Sequence, residues 1–116
     1  MAIEIVTGDP VRRIVQLVKL TDAQPEDGET FVINGAATVT AAIVGPDRET
    51  KLSGDSDQTS GETGADWSTS KVALVIPETE TADITAVGEA YIELQVDDSY
   101  KQTWFIPAVI IKGNIT

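Results

Sequence analysis

Residues 90–111 read Ala-Tyr-Ile-Glu-Leu-Gln-Val-Asp-Asp-Ser-Tyr-Lys-Gln-Thr-Trp-Phe-Ile-Pro-Ala-Val-Ile-Ile, and this stretch decides the fold class. From Ala90 to Val96, Ile92, Leu94 and Val96 fall on one face and Tyr91, Glu93 and Gln95 on the other. A period of two is that of a strand with one buried face. Asp97-Asp98-Ser99 reads as a hairpin connection. Tyr100 to Ile111 then returns as the last strand, with Trp104, Ile106, Ala108 and Ile110 sharing a face. Pro107 has no N–H for a ladder, which predicts a bulge or an edge position. This strand is apolar on both sides, more than one inner face needs. The surplus points either to an oligomer interface or to a bulge at Pro107 that swaps the inward face.

Upstream the same reading continues. Val72 to Ile76 is apolar on both sides, as a buried strand is, and Pro77 ends it. Ala37 to Val44 is a strand with Val39, Ala41 and Ile43 on one face and Thr38 and Thr40 on the other. Ile3 to Val6 and Phe31 to Ile33 are short strand candidates, and Glu49 to Leu52 a brief one. Arg13 to Leu20 fits helical spacing almost as well as a strand; its β-branched residues and the short distance between turn signals favour strand. Asn34-Gly35 and Gly45-Pro46-Asp47 are turns. Asp22 to Glu29 is an acidic loop with Pro25 and Gly28. Gly54 to Asp66 is rich in glycine and short polar side chains and predicts a long exposed loop, after which Trp67 opens an ordered segment. Glu78 to Val87 predicts turns or a short helical turn. No internal repeat or linker divides the chain.

Composition agrees with this reading. Valine and isoleucine occur 12 times each, threonine 14 times and leucine 5 times, and β-branched side chains suit a pleated surface better than a helix. The 116 residues predict a single domain spanning 1–116. The fold class expected is all-β, an antiparallel immunoglobulin-like β-sandwich of about seven or eight short strands. The Cys…Trp…Cys spacing of true immunoglobulin domains is absent, so the likeness is one of architecture.

Eight basic against nineteen acidic residues give a net charge of −11 and a pI near 4.1. Such a surface repels nucleic acid and anionic lipid, so neither is expected as a partner. The chain has no cysteine and no histidine, which removes thiol nucleophiles, the Ser-His pair and most transition-metal sites. An enzyme is therefore not expected, nor a cofactor. The first residues carry no basic region followed by an apolar one, so no signal peptide is read. No stretch approaches eighteen apolar residues, so no membrane span is read.

Asp55, Asp57, Thr59 and Glu62 on a glycine-rich stretch are oxygen donors of the kind Ca²⁺ takes. The EF-hand pattern does not fit, because glycine falls one position late, at Gly61, and Asp66 stands where the closing Glu belongs. A solvated loop without an ion is the expectation, so no metal site is assigned. Asp97 and Asp98 are explained by turn preference. Trp104 sits within an apolar strand and reads as core. Trp67 is either core or an exposed anchor for a partner. Arg12-Arg13 is a basic pair near an acidic N-terminal strand, read as surface charge, with a docking contact on an acidic neighbour as the lesser reading.

The C-terminal half carries a resemblance. Val72 to Ile76, the Pro/Thr-rich connection Pro77 to Ile84, Gly88-Glu-Ala-Tyr-Ile-Glu-Leu-Gln-Val96, Asp97-Asp-Ser-Tyr-Lys-Gln-Thr-Trp-Phe105 and Ile110 to Ile115 follow one another in a layout. It resembles the Ig-like N-terminal domain of baseplate upper proteins, and of small tail and fibre proteins, of tailed bacteriophages. The resemblance implies a non-enzymatic virion structural protein, a tail, baseplate or fibre-adaptor component made in the host cytoplasm. Those family members continue into a coiled coil or receptor-binding head, and none follows here, so a free-standing small component is expected. Its partners would be other virion proteins, and it would form a homo-oligomer. Trp67, Tyr100, Trp104 and Phe105 are the residues expected to pack at an interface. The alternatives are a capsid decoration protein clamping neighbouring subunits and a carbohydrate-binding or adhesion module.

Overall fold

The computed structural model describes residues 2–18, 31–98 and 101–113. Its strands are β1 (Ile3–Val6), β2 (Val11–Gln16), β3 (Thr38–Val44), β4 (Ser56–Gln58), β5 (Lys71–Ile76), β6 (Gly88–Asp97) and β7 (Lys101–Ile111). A 3-10 turn at Trp67–Thr69 and one helical turn, α1 (Glu78–Thr81), are the helical elements among the described residues. Five strands form one sheet in the order β1-β7-β6-β3-β4, and β2 pairs with β5 in the second. The fold is all-β and two-layered, a β-sandwich.

The β6–β7 hairpin is the spine of the large sheet. Its register runs without interruption from Gly88↔Ile110 to Asp97↔Lys101. Ile92, Leu94 and Val96 are buried, as their alternation requires. The inward residues of β3, β6 and β7 meet Val72, Leu74 and Ile76 of β5 in one core, the arrangement of two sheets packed face to face. β5 ends where Pro77 takes over, with φ −68 and extended ψ, and the next four residues turn into α1.

Several expectations need correction. Pro107 makes no bulge, since the ladder continues through Tyr91↔Pro107. Nor is β7 an edge strand, because β1 pairs with its other side in parallel. That pairing starts only at Ala108, so one side of β7 is still open at Pro107, where a missing N–H is tolerated. The strand expected at Arg13 to Leu20 runs from Val11 to Gln16, and residues 19–20 lie outside the described part, as does the acidic loop 22–29. Phe31 to Ile33 forms no ladder: the Ile33 N–H donates to the Trp67 carbonyl at 2.8 Å instead. Glu49 to Leu52 contributes one isolated bridge, Val44↔Lys51.

The largest correction concerns 54–66. This polar stretch contains β4, and Ser56 and Gln58 are buried. The reason is chemical. The Gln58 side chain acts as a strand would. Its Oε1 accepts from the Val75 N–H at 2.7 Å and its Nε2 donates to the Val75 carbonyl at 2.9 Å and to the Ser56 carbonyl at 2.8 Å. One amide thus satisfies the open edge of β5 and ties the large sheet to the small one, closing that side of the sandwich.

Candidate docking face

Trp104 and Trp67 are 8% and 6% exposed, so both rings are engaged in the core. Trp104 stacks on Phe31 at 5.6 Å between ring centres, and its indole N–H donates to the Val18 carbonyl at 3.0 Å. The Trp67 indole nitrogen is buried without a hydrogen-bond partner among the described residues. Tyr100 lies outside the described residues. Phe105 is the one of the four that the structure places at the surface, half-buried on the outer side of the large sheet.

The register explains its company. Phe105 stands opposite Glu93, and Pro107 opposite Tyr91. These pairs project away from the core, because the neighbouring pairs Leu94↔Trp104 and Ile92↔Ile106 project into it. Tyr91 and Phe105 meet diagonally, edge to face, with ring centres 6.4 Å apart and planes at 86°, a favoured geometry for two quadrupoles. Over them lies Arg48. Its guanidinium carbon is 4.6 Å from the Tyr91 ring centre and 5.5 Å from that of Phe105, within cation–π range.

Arg48 reaches this place through a strained turn. Its φ is +63°, a left-handed conformation that ordinary side chains avoid. The turn is held by Asp47, whose carboxylate accepts from the Glu49 and Thr50 N–H groups at 2.9 Å and from the Thr50 hydroxyl at 2.6 Å. The Thr50 hydroxyl, followed by the backbone donors, pushes the Asp47 carboxyl down to about 2. Beside it, Lys51 donates to Glu93 at 2.8 Å and to Asp55 at 3.0 Å. The bond to Glu93 holds the Lys51 ammonium above its ordinary value, against the smaller opposing effect of burial.

The face is thus a ridge: two aromatic rings, a guanidinium over them, Pro107 alongside and a lysine–carboxylate pair at the border. Tyr91 and Phe105 were legible as outward residues from strand alternation alone. Arg48 was missed, because it belongs to a turn and its contact depends on a positive φ. The sequence signal for that turn is Gly45-Pro46-Asp47, with Thr50 three residues beyond the carboxylate.

The acidic stretch behaves differently from a cation site. Asp55 is turned to Lys51, Asp57 is exposed, and Ser56 and Gln58 between and after them point inward. Among the described residues no group of three or more carboxylates is placed to hold a metal ion. Among the same residues no helix is long and apolar enough to cross a membrane. No protein-family model matches the chain, and no curated protein matches it.

Proposed function

We propose that this chain is a non-enzymatic structural protein of a bacteriophage virion, a tail, baseplate or fibre-adaptor component that works through protein–protein contacts. The observation that carries the reading is the Arg48–Tyr91–Phe105 ridge. Arginine and tyrosine are enriched where binding energy concentrates at interfaces. Here Tyr91 and Phe105 sit on the continuous β6–β7 ladder, a rigid support of the kind a docking site needs, and Arg48 reaches over them from its turn. The Arg48 guanidinium gives one N–H to the Tyr91 hydroxyl at 3.4 Å, and its remaining donors can meet a carboxylate of the partner.

The strand order supports the immunoglobulin-like part of the reading. The third, sixth and seventh strands share one sheet and the second and fifth the other. Immunoglobulin-type sandwiches divide strands C, F and G from B and E in the same way. A net charge of −11 keeps free copies apart before assembly.

The test is quantitative mass spectrometry of purified particles from the phage or induced prophage that encodes the chain. A small multiple of about three or six copies per particle is expected, the symmetry of a tail or baseplate ring. Copies on the order of hundreds would instead assign the chain to capsid decoration. No detectable copies would remove the virion reading and leave the binding-module alternative. Arg48→Glu reverses the charge on the ridge while leaving the core untouched, and it is expected to abolish incorporation into particles.

A further inference from the structure

The two lateral sides of the sandwich are not equivalent. On one, the Gln58 amide closes the gap between β4 and β5. On the other, β1 and β2 are both terminal strands of their sheets, and a cleft of about 280 Å³ separates them, lined by Glu4 and Val6 on one side and Asp9 to Arg13 on the other. Among the described residues β2 pairs with β5 alone, so its second edge offers a row of backbone donors and acceptors to whatever enters the cleft.

The side chains of β2 say what that is. Val11, Arg13 and Val15 stand opposite Ile76, Leu74 and Val72, which are all core residues. Arg13 therefore has the inward parity of a core position, yet it is exposed. Together with the Glu4 and Asp9 carboxylates it lines the gap that β1 leaves. It has no hydrogen-bond or ion-pair partner among the described residues. Its neighbour Arg12 has only an exposed contact to Glu62 at 3.4 Å, which is worth little. On the outer face of β2 the Ile14 side chain lies against Gly64 but stays 52% exposed. The edge and the inward arginine are what distinguish this strand.

We propose that β2 is a strand-addition site, and that its occupant is an extended segment of a partner protein carrying carboxylates at alternate positions. The added strand takes its main-chain hydrogen bonds from β2, and its carboxylates on the inward side meet Arg13. The same arginine excludes other occupants. An apolar strand would bury an unpaired charge, and two copies joined through β2 would bring four arginines together. The inference does not depend on the virion reading, since it concerns a different face from the Arg48 ridge.

The test follows amide hydrogen exchange of the full chain by NMR with two capped octapeptides, one alternating threonine and glutamate, the other threonine and lysine. The glutamate peptide is expected to slow exchange in β2 about tenfold or more, and this protection is expected to weaken with added salt. β6 amides should be unchanged and the lysine peptide inert. The double variant Arg12→Glu/Arg13→Glu, with β6 exchange as its control for folding, is expected to reverse the preference. Equal protection by both peptides, or none at millimolar glutamate peptide, overturns the proposal. So does β2 protection without peptide that grows with protein concentration, which would make a second copy the occupant.

Discussion

Asp47 is fully solvated, yet its carboxyl titrates near 2 because three donors converge on the ionised form. A depressed carboxyl contributes stability that is present above its ordinary value of 3.8 and lost as pH falls through the folded one. The turn carrying Arg48 should therefore hold down to about pH 3 and open near pH 2. NMR of the Arg48 side chain checks this: its ring-current shift over Tyr91 should collapse with the Asp47 titration. In Asp47→Ala the shift should be absent at neutral pH, with the β6 amides unmoved. The two tryptophans make a second comparison at this scale. Trp104→Phe removes a bonded indole N–H and orphans the Val18 carbonyl, whereas Trp67→Phe removes a donor that has no partner among the described residues. Denaturant unfolding should find Trp104→Phe more destabilised than Trp67→Phe by about 1 kcal/mol, the net worth of one hydrogen bond.

The β4 element shows where reading a sequence by polarity stops working. Strands β3 and β6 were legible because alternation is the imprint of one buried face, and β5 and β7 because a run apolar on both sides is that of a buried strand. β4 has no apolar residue, so nothing in its composition separates it from a solvated loop. Its order comes from a polar side chain that replaces a backbone partner at a distant strand, Val75, and pair chemistry across 17 residues leaves no local pattern. Phe31 to Ile33 failed in the opposite way: the apolar run is real and partly buried, but its backbone bonds to the 3-10 turn at Trp67. The docking face divides along the same line, with its strand residues legible by parity and its turn residue not. Gln58→Ala deletes both bonds to Val75 and leaves a partly buried N–H and carbonyl to water, so a loss of about 1–3 kcal/mol is expected from denaturant unfolding, together with faster exchange of the Val75 amide. Gln58→Glu keeps the shape and one acceptor but sets an ionised oxygen against the Val75 and Ser56 carbonyls, and at neutral pH it should lose more than Gln58→Ala. A variant as stable as the parent would mean that β5 keeps its edge satisfied without the amide.

At the scale of the whole molecule, attraction and repulsion between charges compete, and their ranges decide the outcome. Among the described residues the ion pairs Arg12–Glu62, Lys51–Asp55 and Lys51–Glu93 all lie within 3.4 Å. They are solvent-facing contacts worth about 0–1 kcal/mol each. Against them stands a net charge of −11 spread over a body of 43 × 31 × 22 Å. At about 0.01 M salt the Debye length is about 30 Å and most carboxylates feel one another across the molecule; at about 0.1 M it is about 10 Å, shorter than the smallest dimension, and the long-range part is gone. Salt therefore removes more repulsion than attraction, and the folded state should gain stability on going from low to moderate salt. The expected rise in Tm is about 4 °C or more, which at this chain length corresponds to about 1 kcal/mol. Sodium and potassium chloride should act alike at equal ionic strength, because screening does not distinguish them. A Tm that stays level or falls over this range would mean that the lysine and arginine pairs outweigh the self-repulsion of the nineteen carboxylates. The Lys51 bridge between Asp55 and Glu93 would then be holding the sheet to its border as well as flanking the docking face.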